Sequence, residues 1–141
     1  MAHIVYIALG SNLGERLENL HAAMHSLASS VQVLEKSQIY ETEPWGFADQ
    51  PAFLNMVFSA KTDLNPHDLL AHLKKNEETL GRLPTFRNGP RLIDMDMLFY
   101  DNLVLETPEL VIPHPRLHER AFVLVPLLDI APHFIHPVLT L

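Results

Sequence analysis

The stretch RLIDMDMLFY, residues 91–100, sets two acids into an apolar run. Leu92, Ile93, Met95, Met97, Leu98, Phe99 and Tyr100 surround Asp94 and Asp96, with Arg91 just upstream. Read as a strand, the run sends alternate side chains to opposite faces. Ile93, Met95, Met97 and Phe99 then make a core face, and Leu92, Asp94, Asp96 and Leu98 share the other. The two carboxylates stand side by side, their α-carbons roughly 6.5 Å apart. At an effective dielectric near 20, unit charges at that spacing repel by about 2–3 kcal/mol. Asn or Ser would avoid this cost. A divalent cation between the acids would offset it, and a hard ion such as Mg²⁺ combines a few carboxylates with waters and substrate phosphates. The plainer alternative is a solvated face kept soluble by its acids, and D-x-D alone does not choose between the two.

The neighbours of the pair weigh toward the metal. Arg82, Arg87 and Arg91 precede it on a loop rich in Pro and Gly, RLPTFRNGPR, and His114, Arg116 and Arg120 follow it. Arginine is the usual bidentate partner of phosphate. Acids for Mg²⁺ flanked by arginines suit an ATP triphosphate. Arg16 and Arg116 read as ordinary surface charges.

These residues need a frame, and the chain supplies one. HIVYIAL (3–9) reads as a strand rich in β-formers, and GSNLGER (10–16) as a turn into a helix, with Asn12 and Glu15 spaced as a variant capping box. Leu17, Leu20, Met24 and Leu27 recur at helical spacing. VQVLEKSQIY (31–40) reads as a strand, ETEPWGFADQP (41–51) as a loop, and FLNMVFSAKT (53–62) as the next strand. Asn65-Pro66 starts a second helix, with Pro at its first position. Its stripe is Leu70, Leu73 and Leu80, and Gly81 ends it. Glu77 falls within that stripe, either at its edge and reaching for water or aimed at a ligand over the sheet; pattern alone favours the edge. After the strand at 92–99, residues 101–120 read as a hairpin or loop excursion. AFVLVPLLDIAP (121–132) reads as a short helix. The order β-α-β-β-α-β predicts an α+β, ferredoxin-like layer, a mainly antiparallel sheet flanked by helices.

With 141 residues, one domain over 1–141 is expected, large enough to need no staples. There is no cysteine, hence no disulfide framework and no thiolate chemistry. Ten basic against 17 acidic residues give a net charge of −7, which argues against a nucleic-acid partner. No run approaches the ~20 apolar residues of a membrane span. No basic segment followed by a long apolar one opens the chain, so no signal peptide is expected. A cytoplasmic monomer is the expected state.

GPRLIDMD (89–96) resembles the G-P-R-x-x-D-x-D signature of the 6-hydroxymethyl-7,8-dihydropterin pyrophosphokinase family of folate biosynthesis. YIALGSNLG (6–14), YETEPWGFADQPAFLN (40–55) and PHPRLHERAF (113–122) resemble further blocks of that family, in the family's order. The resemblance implies pyrophosphoryl transfer from ATP to the pterin hydroxymethyl group, with release of AMP. It implies that Asp94 and Asp96 hold two Mg²⁺ ions, with Asp94 also near the pterin. Arg82, Arg91, His114 and Arg120 would contact phosphates, with Arg82 and Arg91 catalytic beside the two acids. Glu77 and Leu98 would face the nucleotide. Thr42 and Trp45 would present backbone groups to the pterin edge, Asn55 its side-chain amide, and Phe53 and Phe122 would sandwich the ring. A flat ligand with a donor–acceptor edge needs two aromatic faces and an amide. Gly10 reads as turn geometry beside the pterin pocket, and GSNLG, lacking GK[ST], is given no phosphate contact.

The sequence departs from the family pattern at Asn88, where Trp is common, and at Pro84, where a basic residue is common. Glu109 and Val111 stand where basic or hydroxyl groups can occur. These changes bear on the triphosphate grip. Three other readings compete. A nucleotidyltransferase would place its G-S turn near its D-x-D, yet some 80 residues separate Ser11 from Asp94. A zinc module could use His114, His118, His133 and His136, but prolines interrupt their spacing. A pterin-binding paralogue without activity is the third.

Overall fold

The computed structural model describes residues 2–42, 51–81, 92–115 and 120–131. Among the described residues, five strands form one antiparallel sheet. β1 (His3–Ser11) lies at its centre, between β4 (Phe53–Thr62) and β5 (Asp94–Tyr100). β2 (Gln32–Lys36) and the three-residue β3 (Tyr40–Thr42) both pair with β4. The order β2-β4-β1-β5 follows from two split βαβ crossings: α1 (Arg16–Leu27) leads from β1 to β2, and α2 (Pro66–Thr79) from β4 to β5. β6 (Leu105–Glu106) and β7 (Val111–Ile112) make a small separate hairpin, and α3 (Ala121–Ile130) follows.

The helices divide between the two faces. Leu20, Ala23 and Leu27 of α1 and Leu69 and Leu73 of α2 close over Val5, Ile7, Leu9, Met56, Phe58, Met95 and Met97. Each large apolar side chain buried this way contributes about 1.5–3 kcal/mol. On the other face, Val123 and Leu127 of α3 pack on Ala8, Val57, Leu98 and Phe99. That second layer covers less of the sheet, and the functional residues gather on its side.

Several local expectations are revised. The segment 31–40 is not one strand, because β2 ends at Lys36 and β3 begins at Tyr40. Between them the hydroxyl of Ser37 accepts the N–H of Val57 at 2.9 Å and the Ser37 N–H donates to the carbonyl of Val57 at 2.8 Å, so a side chain takes over part of the ladder. Asn12 does not cap α1: Glu15 stands at the N-cap without a side-chain cap bond, and Asn12 Nδ2 donates to the carbonyl of Pro51 at 3.1 Å. Leu17 is exposed. The buried stripe of α2 is Leu69, Leu73 and Glu77, spaced four apart, while Leu70 and Leu80 lie partly buried beside it. The start of α2 is as read: the Asn65 side chain accepts the N–H of Asp68 at 2.8 Å, a cap that contributes about 1 kcal/mol.

Candidate active site

Two cross-strand rows build the floor. In the first, Tyr40 pairs with Asn55, Asn55 with Gly10, and Gly10 with Asp94. In the second, Val57 pairs with Ala8 and Ala8 with Asp96. Paired residues point to the same face, so Asp94 and Asp96 stand on the α3 side. The central strand offers them only Gly10 and Ala8, which leaves room above the sheet. Gly10 is therefore a strand residue, not a turn residue. A Cβ placed there would lie 3.0 Å from Asn55 Oδ1 and 3.5 Å from Phe53 Cδ1. The missing side chain keeps space beside the amide and the ring.

The alternation expected for β5 holds through Met97 and then breaks. The register slips between Tyr6 and Ile7, opposite Phe99 and Met97. The bulge puts Leu98 and Phe99 in the same apolar cluster under α3, and Tyr100 returns to the other face. Phe99 thus leaves the face it was expected to share with Met95 and Met97 and meets Tyr6 edge-on, ring centroids 6.1 Å apart. The Leu98 side chain is buried, and its carbonyl accepts the N–H of His114 at 3.0 Å. That bond, just after the cis Ile112–Pro113 peptide, places His114 beside the acids.

Burial, then the neighbouring charge of Asp94, pushes the Asp96 carboxyl up to about 7, with Glu77 adding to the rise and Arg120 and Lys74 opposing it. Burial, and then Arg120, lowers the His114 imidazole to about 4, with Asp94 opposing. At neutral pH, His114 is uncharged and the acid pair is held in a field that disfavours its second charge.

Glu77 is not at the edge of its stripe. It is 3% exposed, and its Oε2 accepts the N–H of Met95, between the two aspartates, at 2.7 Å. Its Oε1 lies 4.0 Å from Lys74 Nζ. On the other side of Gly10, Asn55 is buried and its Nδ2 donates to Thr42 Oγ1. Its Oδ1 borders the space over Gly10, as does the Phe53 ring. Phe122 packs at the rim of the α3 cluster, with the Arg120 guanidinium 5.6 Å from its ring centre. Tyr40 donates its hydroxyl to Asp129 Oδ2 at 2.6 Å, tying β3 to α3. Glu109 is exposed, 3.9 Å from His67 Nε2. Arg82, Arg91 and Trp45, with Pro84, Asn88, Arg116, His118, His133 and His136, lie outside the described residues.

The structure thus brings together Asp94, Asp96, His114 and Arg120 on one side of Gly10, and Thr42, Phe53 and Asn55 on the other. Among the described residues, no three His, Asp or Glu side chains form a closed metal cluster. An open pair of acids, one pushed up by burial and then by its neighbour, fits Mg²⁺, which fills its remaining positions with water and phosphate oxygens. Sequence reasoning missed Arg16, read as a plain surface charge: Nη1 donates to the carbonyl of Ala52 at 2.8 Å and Nη2 to Glu41 Oε2 at 3.0 Å.

The same antiparallel α+β fold occurs in solved structures. The chain superposes on wild-type Plasmodium falciparum HPPK-DHPS with a TM-score of 0.77 at 19% identity, over 97% of this chain and 41% of that one. A triple mutant of the same protein gives 0.82 at 18% identity, over 99% and 41%. At those identities the likeness is one of fold. Sequence carries the family. Residues 6–132 match the family model of 7,8-dihydro-6-hydroxymethylpterin-pyrophosphokinase (HPPK). The chain is 44% identical over 134 residues to the 2-amino-4-hydroxy-6-hydroxymethyldihydropteridine pyrophosphokinase of Aquifex aeolicus, covering 95% of this chain and 84% of that protein. It is 47% identical over 133 residues to the Bacillus subtilis protein of the same name, covering 92% and 79%. The chain belongs to the HPPK family. It is also 47% identical to the folic acid synthesis protein FOL1 of Dictyostelium discoideum, but spans only 21% of that longer protein.

Proposed function

We propose that the chain transfers the pyrophosphoryl group of ATP to the hydroxymethyl group of 6-hydroxymethyl-7,8-dihydropterin, releasing AMP, as a step of folate synthesis. The observation that carries this is the split floor: a carboxylate pair and an amide–aromatic cradle on one sheet face, with glycine alone between them. The acids face the triphosphate, and the cradle takes the pterin. The pterin hydroxymethyl group then lies over Gly10, next to the phosphorus it attacks.

Asp94 and Asp96 would hold two Mg²⁺ ions, which when bound neutralise the triphosphate and polarise the reacting phosphorus. The chain's own groups do the rest. Glu77 holds the Met95 backbone and so sets the splay of the two acids. Arg120, with Arg82 and Arg91, supplies fixed positive charge to the transferring group. His114, being neutral, contributes an N–H rather than a charge. Leu98 offers the nucleotide the backbone of an edge strand, its side chain being buried under α3. Asn55 Oδ1 accepts from the pterin edge, and Thr42 holds the amide that way round. Phe53 stacks on one face of the ring, with Phe122 at the other.

Identification of the nucleotide product is the direct test. With ATP, Mg²⁺ and the pterin, AMP should appear, and only when the pterin is present. ADP would mean single phosphoryl transfer and free pyrophosphate a nucleotidyl transfer; either would overturn the proposal.

A further inference from the structure

β3 is the shortest strand of the sheet. It has three residues, lies off the main strand path, and among the described residues pairs with β4 alone, through Tyr40–Asn55, Glu41–Leu54 and Thr42–Phe53. Short terminal pairings are the segments that open most readily. Yet this ladder carries Thr42, Phe53 and Asn55, and the Asn55 amide depends on Thr42 for its orientation. A frayed last rung would leave the amide free to turn.

Arg16, the first residue of α1, reaches across the open end of that ladder. One arm of its fork holds the Glu41 carboxylate, next to Thr42, and the other holds the Ala52 carbonyl, next to Phe53. The two arms therefore reach residues of both chains that flank the last rung, Thr42–Phe53: the side chain of Glu41 before Thr42 and the backbone of Ala52 before Phe53. The Arg16 and Glu41 side chains are 30% and 61% exposed, so the ion pair itself contributes little to stability. A bidentate guanidinium still fixes geometry, since its donors lie in one rigid plane. Asn12, four residues earlier, adds a bond to the carbonyl of Pro51 at 3.1 Å.

We propose that Arg16 is a positioning residue for the pterin half of the site, stapling the end of the β3–β4 ladder so that Thr42, Phe53 and Asn55 keep one arrangement. The proposal rests on the pterin reading of that half. A lysine cannot replace this arginine, because a single ammonium does not span both acceptors in a fixed plane.

The test compares the wild type with Arg16→Ala and Arg16→Lys in two readouts. Amide hydrogen exchange over residues 40–42 and 53–55 needs no ligand. It should quicken at least about tenfold in both variants, while β1 and β5 keep their protection. Unchanged exchange in Arg16→Ala overturns the staple. In steady state, the KM for 6-hydroxymethyl-7,8-dihydropterin should rise about tenfold, with KM for ATP within about twofold and Tm nearly unchanged. Equal losses in both KM values, or a pterin KM within about twofold of wild type, overturn the positioning role. If exchange quickens but the wild type neither binds the pterin nor makes AMP, the staple stands and the pterin assignment falls.

Discussion

Glu77 Oε2 lies 2.7 Å from the Met95 nitrogen, and that nitrogen belongs to the residue between Asp94 and Asp96. A helix carboxylate thus bonds the backbone on which both acids proposed to hold Mg²⁺ are mounted. A hydrogen bond to a charged group contributes about 1.5–3 kcal/mol, and a buried donor left unmade costs about 1–3 kcal/mol. Glu77→Ala should therefore lower stability by about 2 kcal/mol and reduce turnover by loosening both acids. Glu77→Gln keeps an acceptor and removes a charge that raises Asp96. Its thermal stability should match or exceed that of the wild type. If Gln proves as damaging as Ala to both melting and turnover, the carboxylate acts through its charge, not through this bond.

Asp96 makes the metal-free protein sensitive to pH. Its folded value of about 7 lies above the ordinary 3.8, so the folded state holds the proton more tightly. Its contribution to stability is complete below 3.8 and is lost as pH rises through about 7. His114 acts in the opposite sense. Its value falls from 6.5 to about 4, so its contribution is present above 6.5 and lost as pH falls toward 4. The two partly cancel, and the difference between variants isolates Asp96. Asp96→Asn should melt higher than the wild type at pH 8, by on the order of 5 °C, and the gap should close toward pH 4. Mg²⁺ at pH 8 should raise the wild-type melting temperature and leave the variant unmoved. Asp96→Asn should abolish turnover; near-normal rates would remove Asp96 from the metal site.

How much of this could be read from the chain depends on how local the signal is. The Asp94–Asp96 pair was legible because period-two alternation is a property of the strand itself, and β4 and the start of α2 announced themselves with a run of β-formers and Asn65-Pro66. The face of Phe99 was not legible. It depends on a bulge opposite Tyr6 and Ile7, two residues from a strand almost a hundred positions away. Glu77 was visible as an acid in an apolar stripe, but only the packing of α2 on β5 shows that its partner is a backbone N–H. Arg16 carried no signal, since both its partners lie on a distant ladder. Gly10 was noticed for the wrong reason, as a turn in a glycine-bounded motif. Its use is steric and comes from strands paired on both sides.

Gly10 gives the sharpest test of the split floor. In Gly10→Ala the new Cβ would sit 3.0 Å from Asn55 Oδ1, closer than nine in ten such contacts, and between the acids and the proposed pterin cradle. The strand conformation itself accepts alanine, so folding should be little affected. Pterin affinity should fall at least about tenfold, equal to about 1.4 kcal/mol, while Mg²⁺-dependent stabilisation persists. Equal damage to the metal response would show that the two halves are not separable across this residue.

His114 and Arg120 face the same region but should fail differently when changed. Burial and Arg120 keep the His114 ring neutral, so it can offer phosphate a single N–H and no charge. Arg120 brings a permanent charge that already acts on both Asp96 and His114. Charge fixed at a transferring phosphoryl group is the larger contribution, and loss of one such donor costs roughly a hundredfold or more. His114→Gln should reduce kcat/KM by about tenfold, since the amide still donates, and Arg120→Gln by about a hundredfold. The difference should shrink in high salt, which screens the charge and spares the hydrogen bond. NMR titration of the free protein provides the independent check. The His114 ring should show no inflection between pH 5 and 8, and one near its ordinary 6.5 would make it a charged phosphate ligand instead.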